Sequence, residues 1–452
     1  MSYQTLAGLC LLLCTASLPV ALAAPASSES KADHESARTL SLRSGMQRLM
    51  ASNPELRSFP LRQGVLQAES QSAALAPPLK ASFDAENVLG AGDASGIDLA
   101  EFTLALSGVV ELDDQAGARV NVLARRGELI EAERRAAELD LLADLARRHI
   151  QLAAQQYRAV VAEEQAALTR STAEAIERRV RRGRTPEAEL ARARAAAARA
   201  GLELSHLRHQ LPTMRVGLAA LWGELEPDFD RVEDEALLKP GRAGHYKALQ
   251  KSLENNPDLA RFNDLARLRE AELHLAESEG RLDIEWTAGL RRLEGIDSTA
   301  LVAGLSVPLF GERQNSGRVE AARLQAEIVG YDREAAFIRS HALLYRLYEH
   351  RVHAIEELKA LGRDVIPQLD EVLEDIREGY ARGRYGYVEL STVRRELIEA
   401  RLAQIDAAER AQLARIELER LTGSALPQFD DEDNTESDHE SEQESGENSH
   451  AH

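Results

Sequence analysis

The chain of 452 residues has two cysteines, Cys10 and Cys14, and both fall inside an N-terminal apolar segment. The first 23 residues carry no charged side chain. An apolar run from Leu9 to Leu13 precedes Ala21-Leu22-Ala23, a small-x-small cleavage pattern, so residues 1–23 read as a secretory signal and 24–45 as an N-terminal extension. The segment from Met1 to Thr5 departs from the usual pattern in lacking Lys and Arg, and Leu9 and Leu13 before the two cysteines argue against a lipoprotein signal. A mature chain without thiols excludes disulfides, cysteine nucleophiles and cysteine metal sites. Long apolar runs are also missing: no window approaches 18 residues, so no helix is expected to cross a bilayer, and a membrane role has to use strands. Aromatic residues are only 4%, while Ala, Leu, Glu and Arg abound, which is the composition of long helices. Residues 430 to 452 contain no Lys or Arg but ten Asp and Glu, half of the net charge of −20. What remains is acidic, not basic, and leaves no footprint for nucleic acid. There is no phosphate-binding loop and no catalytic constellation, so neither an enzyme nor a bound cofactor is expected.

What the chain does contain, it contains twice. Residues 183–230 and 383–430 align at an offset of 200 without a gap: Arg182-Gly183-Arg184 recurs as Arg382-Gly383-Arg384, Glu189-Leu190 as Glu389-Leu390, and Pro227, Phe229 and Asp230 as Pro427, Phe429 and Asp430. Earlier in each half the register slips, so that Gly117-Ala118-Arg119-Val120 faces Ser316-Gly317-Arg318-Val319, and Asn53-Pro54 faces Asn256-Pro257. A period this long is too large for a solenoid of small repeats. It implies two copies of one half-structure, at 46–230 and 241–430, followed by an acidic, His-containing tail at 431–452.

Helical periodicity dominates each half. Positions 190, 193, 197, 200, 204, 207, 211, 214, 218 and 221 form a 3-4 alternation of Leu, Ala and Met, and the same positions plus 200 run from Leu390 to Leu421. A sustained spacing of 3.5 is a coiled-coil seam. The second copy adds Ile398, Leu402, Ile405, Leu413 and Ile416 on another face, and a helix with two apolar stripes has two neighbours, as in the wall of a helical barrel. Upstream, residues 118–182 hold no proline and one glycine, Gly127, which predicts a helix roughly 100 Å long. Its mirror at 318–382 contains Pro367, read as a bend. Each pair turns at Gly183-Arg184-Thr185-Pro186 or Gly383-Arg384-Tyr385-Gly386.

Before each long helix comes a pair of segments with alternating character: Ala81–Leu89 and Glu101–Val110, then Leu282–Leu290 and Ala300–Phe310. Phe102, Leu104 and Leu106 share one face, as do Ile284, Trp286, Ala288 and Leu290, and again Ala303, Leu305, Val307 and Leu309. The intervening loops, Gly90–Asp98 and Glu294–Ser298, read as hairpins. Strands of nine to eleven residues match an outer-membrane span. Four strands cannot close a barrel, and an open edge is not tolerated in lipid, so membranous hairpins require several chains to share one barrel. A soluble periplasmic coiled-coil scaffold capped by a small sheet accounts for the same pattern.

Taken together, the signal, the Asn-Pro at the head of each half, the strand exit Gly304 to Phe310 with Arg313-Gln314-Asn315-Ser316-Gly317-Arg318-Val319-Glu320-Ala321 after it, and the two turn motifs resemble the TolC-like outer-membrane efflux family over residues 46 to 430. The resemblance implies a mainly α protein with membrane β: a homotrimer whose four strands per chain build a twelve-stranded outer-membrane barrel, continued by a helical tunnel across the periplasm. It implies a passive duct in contact with outer-membrane lipid, served by a periplasmic adaptor protein and an inner-membrane pump. At the tips, Gly183, Arg184, Leu190, Gly383, Arg384 and Leu390 match the positions that dock the adaptor. Glu389 matches an acidic residue narrowing the tunnel mouth, although Thr392 stands where a second acid is common. The Arg-Gln-Asn-Ser-Gly crossing is similar to the heavy-metal branch, whose pump is of the resistance-nodulation-division class. Divalent heavy-metal cations are therefore the expected substrates, with organic toxicants or secreted polypeptides as alternatives. In the tail, His439, His450 and His452 among carboxylates form a weak candidate metal site. The pairs His206/His209 and His350/His353 lack a third ligand and read as surface histidines.

Overall fold

The computed structural model describes residues 38–88, 92, 96–281, 283–308 and 311–423. The expected signal at 1–23, the extension up to residue 37, part of the first hairpin loop, Leu282, Leu309, Phe310 and the whole tail with its three histidines lie outside the described residues. In chain order the elements are β1 (Thr39–Leu40), α1 (Leu42–Ser52), α2 (Pro54–Ala73), β2 (Lys80–Glu86), β3 (Glu101–Glu111), α3 (Gln115–Val180), α4 (Glu187–Ala219), β4 (Arg231–Val232), α5 (Tyr246–Ser252), α6 (Pro257–Ser278), β5 (Asp283–Leu293), β6 (Ser298–Ser306), α7 (Gly311–Ala360), α8 (Ile366–Ala381) and α9 (Tyr387–Thr422). The four expected strands are present. The last one stops at Ser306 rather than running on, two residues before Pro308, which has no N–H to give a ladder.

Both heads use asparagine in the same way. Asn53 caps α2 by accepting from the Leu56 N–H at 3.1 Å, and its amide donates to the Leu221 carbonyl at 2.7 Å. Asn256 caps α6 by accepting from Leu259 N at 3.0 Å and donates to the Leu421 carbonyl at 2.7 Å. An Asn N-cap followed by Pro at N1 satisfies one orphan donor and removes another. The second amide function ties each capped helix to the last turn of its own repeat's return helix.

The sheet is antiparallel in the order β2-β3-β5-β6. The β3–β5 ladder joins the two hairpins, pairing Leu104 with Leu290 and Val110 with Ile284. β2 and β6 are its free edges. A separate parallel pair, β1–β4, sits on α3, where the buried Gln156 side chain accepts from Val232 N at 2.9 Å and donates to Val232 O at 3.0 Å.

α3, of 66 residues, is continuous from its Asp114 cap to Val180. Its mirror is interrupted: a π-helical turn at Leu361–Val365 separates α7 from α8, and Pro367 lies in the first turn of α8. Where a bend was expected the structure has a π-turn, which admits one extra residue per turn and leaves the missing Pro367 N–H without consequence. That extra residue accounts for the change of offset between the repeats, from 199 at Arg119/Arg318 to 200 at Gly183/Gly383. The ten seam positions of α4 and its 3-10 end, Leu190 to Leu221, and the ten of α9, Leu390 to Leu421, are all buried or half-buried. α4 packs chiefly on α3, α3 also on α6 and α9, and α9 on α7 and α8, so the long staves run α4, α3, α9, α7–α8. α9 is interior on both sides, with Ile405 against Ala154 and Ile416 against Ala143 and Ala146. α4 and α7–α8 form the two ends of the wall.

Candidate channel wall, tip turns and aperture

Along the sheet the register sorts side chains into two chemically different faces. One face carries Phe83, Leu104, Leu106, Leu290, Leu301 and Leu305, all exposed, with Leu301 86% accessible. Alternate residues on the other face are Ser82, Asp84, Glu86, Glu101, Thr103, Thr287 and Arg291. There the Arg291 guanidinium donates to Glu101 at 2.9 Å and to the Thr103 hydroxyl at 3.0 Å, with Glu86 at 3.5 Å. An exposed apolar patch of this extent on a short sheet marks contact with lipid or partner, and apolar-out, polar-in alternation is the pattern of a membrane strand. Among the described residues no helix is long and apolar enough to cross a membrane.

At the opposite end of the staves the two turns share one hydrogen-bond design. Arg184 N donates to Arg179 O at 3.0 Å and Gly183 N to Val180 O at 2.8 Å; Arg384 N donates to Gly379 O at 2.8 Å and Gly383 N to Tyr380 O at 3.1 Å. This is a Schellman motif, with glycine in the left-handed region at φ +68° and +81°. Gly183, Arg184, Gly383 and Arg384 are exposed, Leu190 is half-buried, and Leu390 is 2% accessible. The two leucines therefore hold the turns in place, and the glycines and arginines form the outer surface.

Glu389 is exposed in the first turn of α9, and its carboxylate accepts from the Gly386 N–H at 3.1 Å. It thus closes the glutamate half of a capping box, while Thr392, half-buried, faces the groove described next. The G-x-x-E spacing signals this role in the sequence.

Two features of the tip escape the sequence reading. Between α4 and α9, over α3, lies a groove of about 630 Å³ whose lining includes Arg192, Arg199, Arg394, Arg395 and Glu203. Beside it Arg394 donates to the Thr172 hydroxyl at 2.7 Å, and burial together with nearby Arg377 holds its guanidinium below the usual range. Tyr387 is buried, which pushes its phenol up, and the Arg179 guanidinium stacks 4.5 Å from the Tyr380 ring. In a chain so poor in aromatics, Tyr380, Tyr385 and Tyr387 within eight residues were the available signal. The histidine pairs His206/His209 and His350/His353 are exposed, and no group of three potential metal ligands occurs among the described residues.

Comparison with known proteins agrees with this geometry. The family described as outer membrane efflux protein matches residues 45–224. The cobalt-zinc-cadmium resistance protein CzcC of Cupriavidus metallidurans is 25% identical over 314 residues, 70% of this chain and 75% of that protein. Among solved structures, CusC superposes with a TM-score of 0.70 at 15% identity, covering 88% of this chain and 96% of CusC. The CmeC outer membrane channel of Campylobacter jejuni gives 0.68 at 14% identity, covering 92% and 95%. The outer membrane efflux protein model thus matches within the first half of the chain, and the fold of the solved channels extends over most of its length.

Proposed function

We propose that the chain is the outer-membrane duct of a tripartite efflux system, a homotrimer whose three four-stranded sheets close one barrel in the outer membrane while the helices form a tunnel through the periplasm. The observation that carries this reading is the sheet with two chemically opposed faces and two free edges, β2 and β6. Unpaired edges are not stable in hydrocarbon, and closure against further copies removes them. The free ends of the helical wall, α4 and α7–α8, meet the same requirement from the same operation. The sequence carries no phosphate-binding loop; the duct is passive in this reading, and energy enters through an inner-membrane pump that reaches the turns at Gly183-Arg184 and Gly383-Arg384 through a periplasmic adaptor. Divalent heavy-metal cations are its cargo: the metal-resistance relative supports this, as does the ring of three Glu389 carboxylates that a threefold axis places at the tunnel mouth, which draws cations. Fractionation tests the duct. Recovery of the mature chain from the soluble periplasm as a monomer or dimer would refute it. Growth of a strain lacking the protein, across zinc, cobalt, nickel, cadmium and copper and then across dyes, detergents and antibiotics, tests the cargo. Sensitivity confined to the organic panel would overturn the metal reading and leave the duct standing.

A further inference from the structure

The internal repeat specifies how one copy meets the next. Within the chain, α3 of the first repeat packs on the second stripe of α9: Ala143 and Ala146 against Ile416, Ala154 against Ile405, and Arg158 on Asp406 at 2.6 Å and on Glu409. The equivalent stripe of α4, 200 residues earlier, runs through Ala188, Ala191, Ala195, Ala198, Leu202, Ser205, His209, Pro212 and Val216, and every one of these is exposed. The equivalents of the α3 positions, 199 residues later and still ahead of the π-turn, are Ala342, Tyr345, His353 and Glu357 on α7. Ala342, Tyr345 and His353 are exposed, and Glu357 is half-buried. Two unpartnered faces that are repeat-equivalents of an existing interface are each other's natural occupants, and in a closed ring they belong to neighbouring copies.

At one level of that interface the chemistry changes. Arg158 becomes Glu357, while its partners Asp406 and Glu409 become His206 and His209; Ala154, buried against α9, becomes His353. A cation held by two carboxylates is thus replaced by a carboxylate facing two imidazoles, with a third imidazole one turn away. His353 already lies beside that carboxylate, Nδ1 3.8 Å from Glu357 Oε2. The neighbouring cations have other partners: Arg208 donates to Glu163 at 3.0 Å, and Arg410 to the Glu357 carboxylate at 2.9 Å. The Gln210 amide lies 2.8 Å from His206 Nε2, which orients that ring. We infer that His206 and His209 of one copy, with His353 and Glu357 of the next, form an intersubunit site for a divalent transition-metal ion. Three imidazoles and a carboxylate are a ligand set for zinc, cobalt or nickel. The i,i+3 and i,i+4 spacings present each pair on one helix face, and Arg410 fixes the carboxylate from behind, as outer-shell partners do. The inference rests on the proposed ring of copies and adds to it a metal bridge in each wall joint.

Because the mature chain has no native cysteine, the joint and the metal can be tested separately. In the full-length protein, Val216→Cys with Ala342→Cys, the equivalents of the Ile416–Ala143 contact, should give disulfide-linked oligomers on oxidation. Cobalt(II) added to the chelator-stripped protein in detergent should give a tetrahedral visible band, and the zinc content of the H206A/H209A variant and of the H353A variant should each fall by one ion per chain relative to the parent. Any ions bound elsewhere appear equally in all three. Cross-linking with no loss of zinc in either variant overturns the metal site while leaving the ring intact, since the level then holds imidazole–carboxylate pairs alone. A trimer that fails to cross-link overturns the register and with it the site. A chain that is not oligomeric at all removes the proposed duct as well.

Discussion

Replacing Asn256 with alanine deletes three hydrogen bonds at one stroke: those accepted from Asp258 N at 2.7 Å and Leu259 N at 3.0 Å, and the one donated to Leu421 O at 2.7 Å. Loss of the N-cap costs about 1 kcal/mol. The Leu421 carbonyl, beside a residue 1% accessible, then has no amide donor, which costs about 1–3 kcal/mol more. The local penalty is therefore about 2–4 kcal/mol. Melting of an assembled membrane protein reports a rate rather than an equilibrium, so the suitable assay is native-state hydrogen exchange at Ala260, whose N–H bonds to Asn256 O at 2.9 Å. At 1.36 kcal/mol per tenfold, exchange there should quicken roughly 30- to 900-fold. Asn256→Asp separates the two roles, because it keeps the cap acceptor and places an oxygen without a proton against the Leu421 carbonyl. It should be nearly as damaging as alanine. A change under about threefold for alanine would refute the capping argument, and an aspartate variant behaving as the parent would refute the carbonyl tie.

Three further outcomes are expected. Gly183→Val and Gly383→Val force a β-branched residue into the left-handed region at a cost of about 1–2 kcal/mol each; a Cβ there meets no atom within 4 Å, so folding should survive while export falls, and undiminished export in a resistance assay would count against docking at the tips. Burial holds the His149 imidazole below its ordinary value, so between its folded and unfolded pKa values the unfolded chain binds more protons; stability is therefore fully present above about pH 6.5 and declines as pH falls below it. Exchange at Leu40 and Val232 should quicken over that range, and His149→Gln should flatten the profile. Deleting Gly362 inside the π-turn should convert Leu361–Val365 to regular helix and leave trimers intact, whereas deleting one residue at Leu344 rotates the remaining helix by about 100° and should abolish assembly by native electrophoresis.

The staves, their stripes and their turns were legible because they depend on period and on glycine, and both are written into local sequence. Pro367 marked the place of the interruption but not its form, since a π-turn is recognised only once the two repeats are aligned on either side of it. Arg394 was illegible for a different reason: an arginine on a helix in a chain rich in arginine carries no sign that it reaches across to Thr172 of α3. Glu389 was legible as an acid near the turn, yet its bond to Gly386 N is a local capping interaction, and only its exposed position leaves it available to the proposed tunnel mouth. The histidine pairs are exposed, as their reading as surface residues expected. Their third and fourth ligands lie 144 to 151 residues away and, on the inference above, in another molecule.

The two repeats keep one seam and diverge on the other, and the divergence follows from what each stave meets. The second stripe of α9 carries Ile398, Leu402, Ile405 and Ile416, of which Ile405 and Ile416 are buried within the chain and Ile398 and Leu402 are half-buried. The second stripe of α4 keeps a leucine at Leu202 and has Ala198, Ser205 and Val216 in place of the three isoleucines. Burying an isoleucine side chain is worth about 1.5–3 kcal/mol, a gain that α9 takes on folding. The same residues on α4 would stand exposed until another copy arrived, where long apolar stripes invite unspecific association. Small residues lower that hazard and let two helices approach closely, but they also weaken the joint. Directional contacts between His206, His209, His353 and Glu357 restore both strength and register where apolar area has been given up. A substitution of Ser205 by isoleucine should accordingly strengthen the joint in the assembled protein and raise aggregation of the chain before assembly, measured as trimer yield against insoluble material on refolding into detergent. Higher yield with no added aggregation would mean that the small-residue stripe is not a compromise of this kind.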